Sequence, residues 1–179
     1  MSASTVVGPA YVRMMAAYNA EMNRRLYAAA GRLSDAQRRE NRGAFWGSIH
    51  GTFSHLIWGD HIWMSRFDGW NRPSFTAKQA ADMYADHATL LAARTEADAR
   101  ISDWANRVDQ SWLGQDLTWF SGAAAREITL PRGILMTHFF NHQTHHRGQA
   151  HALITSFGED TGDTDLMIIP QAIEAGLRN

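Results

Sequence analysis

Five of the nine histidines of this 179-residue chain fall between Leu130 and His151: His138, His142, His145, His146 and His151. If that stretch is helical, His142 and His146 lie one turn apart on one face, with Cβ atoms about 5–6 Å from each other. Two imidazole nitrogens bound at about 2.0–2.1 Å to one tetrahedral ion sit roughly 3.3 Å apart, a gap that side chains leaning together across one turn can close. The pair is therefore a two-toothed chelator whose further ligands must come from elsewhere. The chain has no cysteine, so any metal here has nitrogen or oxygen ligands.

Histidines also serve as surface residues and as hydrogen-bonded core residues, and a histidine-rich helix shows an i,i+4 pair by chance fairly often. The register speaks for a ligand role. Leu135, Phe139, His142, His146, Gln149 and Leu153 step by four and three along one core-facing seam. Two histidines and a glutamine on a buried seam are costly unless something binds them. His138 precedes His142 by one turn and competes with His146 as second ligand. His145 competes from the doublet, but its register is about 100° off the seam.

These residues need a scaffold, and helical periodicity supplies it. Tyr11, Met14, Met15, Tyr18, Met22 and Leu26 predict a first helix from Ala10 to about Ala30, and Ser34-Asp35-Ala36-Gln37 predicts a capped turn through Glu40. The block Ala44–Phe67 is apolar nearly all round and predicts a second helix at the centre of a bundle or against a partner. Within it Gly51 and Gly59 each weaken helix propensity by about 1 kcal/mol, which calls for close packing or a pocket in return. His55 lies in its middle. By position alone it suits a hydrogen-bonded core histidine better than a ligand, and His50 and His61 fall on other faces and read as peripheral. Asp60 could orient a metal-bound histidine or pair with an arginine. After the loop Gly69–Ser74, Thr76 caps a predicted third helix from Ala77 to about Val108, on which His87 reads as solvated or packed. Leu117–Phe120 and Ile128–Leu130 predict a small hairpin turning through Ser121–Ala125. Pro131 then starts the histidine helix, which ends near Gly158, and a final turn spans Gln171 to Ala175.

Composition narrows the function. A net charge of −1 without a basic cluster argues against nucleic acid. No apolar run reaches the ~18–20 residues of a membrane span, and Met1–Thr5 lack the charged and apolar regions of a leader, so the chain reads as cytoplasmic. Hydrophobic residues at 45% and the lack of linkers or repeats point to one globular domain over residues 1–179. The seven tryptophans and the all-round apolar second helix are compatible with a homodimer.

Gly47-Ser48-Ile49-His50-Gly51-Thr52-Phe53-Ser54-His55-Leu56 with Asp60 and Trp63, followed by Asn141-His142-Gln143-Thr144-His145-His146-Arg147-Gly148-Gln149, closely resembles the DinB family of DinB/YfiT-like metalloenzymes. The resemblance extends over almost the whole chain, including the hairpin and the Gly158–Pro170 tail. It implies an all-α fold, a four-helix bundle of up-down-down-up topology with a small β-hairpin before the last bundle helix, usually homodimeric. It further implies one divalent ion, zinc or nickel, on a histidine of helix two and an H-x-x-x-H pair of the last bundle helix. Matched residue by residue, the ligands are His55, His142 and His146.

Three protein ligands leave a fourth position for water or substrate, as catalytic rather than structural sites do. Relatives with assigned activities use low-molecular-weight thiols: bacillithiol S-transferases, a mycothiol-dependent maleylpyruvate isomerase and a sulfoxide synthase domain. The resemblance thus implies a metal-dependent thiol transferase acting on a small molecule, with the thiol as cosubstrate. Asp60, Arg147 and Gln149 are the supporting candidates, Arg147 either binding a carboxylate of the thiol or pairing with Asp60. Two other readings stay open: a hydrolase in which the triad activates water with Asp60 as candidate base, and a non-catalytic stress-associated bundle cross-linked by its ion. The paired Glu-x-x-His motifs of a di-iron centre are absent.

Overall fold

The computed structural model describes residues 6–122 and 124–178. The expectation of no leader in Met1–Thr5 and the Ala123 position of the hairpin turn lie outside them. The chain is mostly helical with one small hairpin. Helix α1 (Pro9–Gly31) carries proline in its first turn and buries Val12, Ala16, Asn19, Met22, Asn23, Leu26 and Tyr27, the three- and four-residue steps of one face. Short α2 (Asp35–Arg39) opens on a capping box between Ser34 and Gln37, as predicted.

Helix α3 (Ile49–Phe67) begins five residues later than the apolar pattern predicts, because Ser48 caps it by accepting from the Gly51 N–H. The preceding residues instead form a tight loop turning at Gly47 (φ 75°). The single strut expected from Ala77 to Val108 is also corrected. It is a 3-10 turn (Ala77–Asp82) followed by a separate α4 (His87–Ala105), whose start is fixed by the Asp86 carboxylate accepting from the Thr89 N–H. A local cap outweighed a continuous apolar pattern in both places.

Short α5 (Gln110–Leu113) leads into the hairpin of β1 (Asp116–Ser121) and β2 (Arg126–Pro131), antiparallel with Leu117 opposite Leu130 and Trp119 opposite Ile128. Pro131 is the cap rather than the first residue of α6 (Arg132–Thr155). After a 3-10 turn at Leu166–Ile168, α7 (Pro170–Leu177) extends the expected final turn and packs along α1. Helix α1 packs on α4 and α6, and α3 packs on the same two.

The four long helices share one pattern. Each has an apolar run in a core cluster containing Phe67, Trp104, Phe139 and Phe140, another in a cluster containing Tyr27, Phe53, Leu90 and Ile154, and buried polar residues between the two. Those residues are Asn19 and Asn23 on α1, Asp60 on α3, Arg94 on α4, and Gln143, His146 and Arg147 on α6. A polar layer therefore crosses the core at one level.

Candidate metal centre

His55 projects from the middle of α3, and His142 and His146 from successive turns of α6. Their ligand-capable nitrogens all lie within 4.8 Å of one another, a group that could hold a metal ion. Nε2 of His55 and Nε2 of His142 are 3.2 Å apart, close to the spacing of two imidazoles on one tetrahedral ion. The His146 ring centroid is 4.6 Å from each of the other two. His55 and His146 are buried, His142 partly so.

Electrostatics keep the cluster in its ligand-competent form. Burial, and then the neighbouring rings, push His55 down to about 3 and His142 down to about 4, and burial lowers His146 as well. All three imidazoles are therefore neutral at neutral pH, as metal ligands must be. The Nε2 atoms of His55 and His142 turn toward each other, while the Nδ1 of His55 is buried without a hydrogen-bond partner.

Neighbouring residues hold the rings in place. Gln149, one turn beyond His146, has Oε1 at 2.8 Å from His146 Nδ1, which fixes that tautomer and leaves Nε2 to face the cluster. The loop before α3 lays the Trp46 indole flat on His55, with centroids 3.9 Å apart. A Cβ at Gly51 would lie 2.3 Å from the Trp46 carbonyl oxygen, so that loop depends on the glycine. A Cβ at Gly59 would lie 2.9 Å from Cε1 of His142. The two glycines that weaken α3 thus admit the loop and the imidazole.

Asp60 does not orient a histidine. It is fully buried, with Oδ2 2.5 Å from Arg94 and Oδ1 2.6 Å from Gln143 Nε2, so neither oxygen is free to act as a base toward water. The expected Asp60–Arg147 salt bridge is likewise corrected: Arg94 takes that place, and it also ion-pairs with Asp98 at 2.8 Å. Arg147 donates instead to the Thr144 hydroxyl at 3.2 Å. Burial lowers its pKa to about 10, which still leaves it charged at neutral pH.

The other histidines are not in the triad, although the His145 ring lies 4.9 Å from His146 and the His138 ring 6.1 Å from His142. His138 packs against Trp63, and exposed His145 bonds Gln149 through its Nε2. His50 is buried rather than peripheral and is held by the Tyr84 carbonyl oxygen, while His87 stacks on Tyr27. Sequence reasoning missed Trp46, Arg94 and the burial of Gln143. Arg94 was detectable, since Leu90, Arg94, Ala97, Ile101 and Trp104 step by four and three along one stripe.

A model of the DinB family matches residues 1–174. The chain belongs to the DinB family. Comparison with curated proteins and with solved structures gives no match. For this DinB-family chain the case that the triad could hold an ion therefore rests on its own geometry: three neutral imidazoles from two helices, converging beside the Asp60–Arg94 ion pair.

Proposed function

We propose that this chain binds one divalent ion, zinc or nickel, through His55, His142 and His146, and is a metal-dependent enzyme of the thiol-transferase type. The observation that carries the reading is the 3.2 Å approach of two neutral imidazole nitrogens with a third ring beside them. Three imidazoles without a fourth protein donor in the group leave room for an incoming molecule. When bound, the ion supplies a Lewis acid that lowers the pKa of a thiol.

The residues around it do the rest. Gln149 orients His146, Trp46 covers His55 and excludes water from that side, and Gly59 leaves space for His142. The burial of Asp60 beneath Arg94 and Gln143 takes away the candidate base of the hydrolase reading, which favours thiol chemistry. The mutual packing of α1, α3, α4 and α6 supports an up-down-down-up four-helix bundle, with residues 1–179 as one domain. We assign homodimer formation to the exposed apolar side chains of Met167, Ile173 and Leu177. No helix among the described residues is long and apolar enough to cross a membrane.

The test is elemental analysis of protein purified without a histidine tag, followed by incubation with glutathione, bacillithiol or mycothiol and a chlorinated or epoxide electrophile. Stoichiometric metal and thioether formation that is lost on chelation support the reading. Silence with every thiol alongside metal-dependent ester or amide turnover would establish the hydrolase instead, and metal binding without any turnover the non-catalytic bundle.

A further inference from the structure

On the side of α6 that faces α1, a cavity of about 190 Å³ opens between the two helices and the segment after α6. The histidine triad does not line it. Arg147 does, and it is 5% exposed. A buried guanidinium is normally matched by a carboxylate or by a full set of acceptors. Arg147 has neither: Nη2 reaches only the Thr144 hydroxyl, and buried Nη1 has no hydrogen-bond partner.

The nearby carboxylates do not supply the missing acceptor. Asp60 is held by Arg94 and Gln143, and Asp98 by Arg94 and the Asn23 side-chain amide. Arg25, the other cation on the cavity, is already bonded to Glu21 and to the Asp163 carbonyl oxygen. The remaining walls include Tyr18, Met22 and Leu26, and the Tyr18 ring centroid lies 5.6 Å from the Arg147 guanidinium carbon.

We propose that this cavity is a binding site for a small monocarboxylate with an apolar or aromatic body, the carboxylate meeting Arg147 and the body lying against Tyr18, Met22 and Leu26. A guanidinium offers two parallel N–H donors to a carboxylate, and Arg147 reaches the cavity wall without a carboxylate of its own. The volume suits a single ring, since an engineered apolar cavity of about 150 Å³ takes benzene. The site lies outside the histidine cluster, so it is independent of whether that cluster holds an ion.

Benzoate and its neutral isostere benzamide are the probes, titrated by calorimetry into the full chain after exhaustive chelation, so that carboxylate binding to a metal cannot contribute. Two variants separate binding from folding. Arg147→Gln removes the charge. Gly148→Leu adds bulk at the cavity wall, where a Cβ meets no atom within 4 Å, and replaces a helix glycine by a stronger helix former. The expected result is saturable one-to-one binding of benzoate, at least tenfold weaker binding of benzamide, and at least tenfold weaker benzoate binding in both variants. Failure of benzoate to bind, equal binding of benzamide, or unchanged benzoate affinity in folded Gly148→Leu would each overturn the proposal.

Discussion

Two buried polar clusters lie side by side between α3 and α6, and they are built in opposite ways. Around Asp60 opposite charges meet: one carboxylate takes Arg94 and Gln143, and Arg94 also reaches Asp98. Around His55 like meets like, with three neutral rings whose nitrogens gather in one place. Paired opposite charges specify the fold. Gathered imidazole nitrogens are suited to sharing a cation.

That contrast predicts separable losses, the largest at the Asp60 cluster. Arg94→Met leaves two buried carboxylates without their cation and should destabilise the protein by about 3–5 kcal/mol, measured by urea unfolding of metal-free protein. His142→Ala should cost the metal-free protein only about 1 kcal/mol. It should abolish the stabilisation of about 2.7 kcal/mol that an ion at 100 times its Kd gives the native chain. If His142→Ala instead unfolds the metal-free protein while Arg94→Met leaves it intact, the assignment of roles is reversed.

Smaller perturbations sharpen the boundary. Gln149→Ala frees the His146 ring and should weaken metal affinity about 10–100-fold without moving the metal-free unfolding midpoint. Gly59→Ala pushes a methyl group against His142 and should weaken affinity also, even though alanine raises helix propensity by about 1 kcal/mol. The affinity and stability effects of Gly59→Ala should therefore have opposite signs, read by metal titration and by urea midpoint.

The same contrast can be read through pH. Above pH 6.5 the histidines are neutral in both folded and unfolded chains, so they add no slope to stability. As pH falls below 6.5 the unfolded chain takes up protons that folded His142 and His55 refuse until about 4 and about 3. Their contribution to the stability of metal-free protein therefore declines from pH 6.5 to about 3 and levels off below. Urea midpoints of the native chain and His142→Ala at pH 7, 5 and 4 should converge and then cross, the variant becoming the more stable at pH 4 because it lacks a ring whose protonation the fold opposes. A native chain that keeps or enlarges its lead over the variant toward pH 4 would mean that His142 is protonated in the folded chain.

Much of this was legible in the sequence, for a physical reason in each case. The His142–His146 pair sits on a four-and-three seam whose period survives folding, so its burial could be read directly. Gly51 and Gly59, unfavourable in a helix, marked the close approaches of Trp46 and His142. What escaped was set by local or long-range partners that periodicity does not encode. Ser48 and Asp86 start α3 and α4 late because a side-chain cap there satisfies an N–H that a longer helix would have to bond internally. Asp60 had two plausible arginine partners on different helices, and only packing decides for Arg94 over Arg147. Trp46 reads as helix core in an apolar run, yet it reaches His55 from a loop that Gly47 turns back.

The most direct test of the triad is X-ray absorption at the zinc edge on zinc-loaded, untagged native protein and on His55→Ala. Three imidazole nitrogens at about 2.0–2.1 Å, plus one light donor exchanged by an added thiol for sulfur, are predicted for the native chain. Two imidazoles or fewer there, or a native-like spectrum from His55→Ala, would contradict a site shared by α3 and α6.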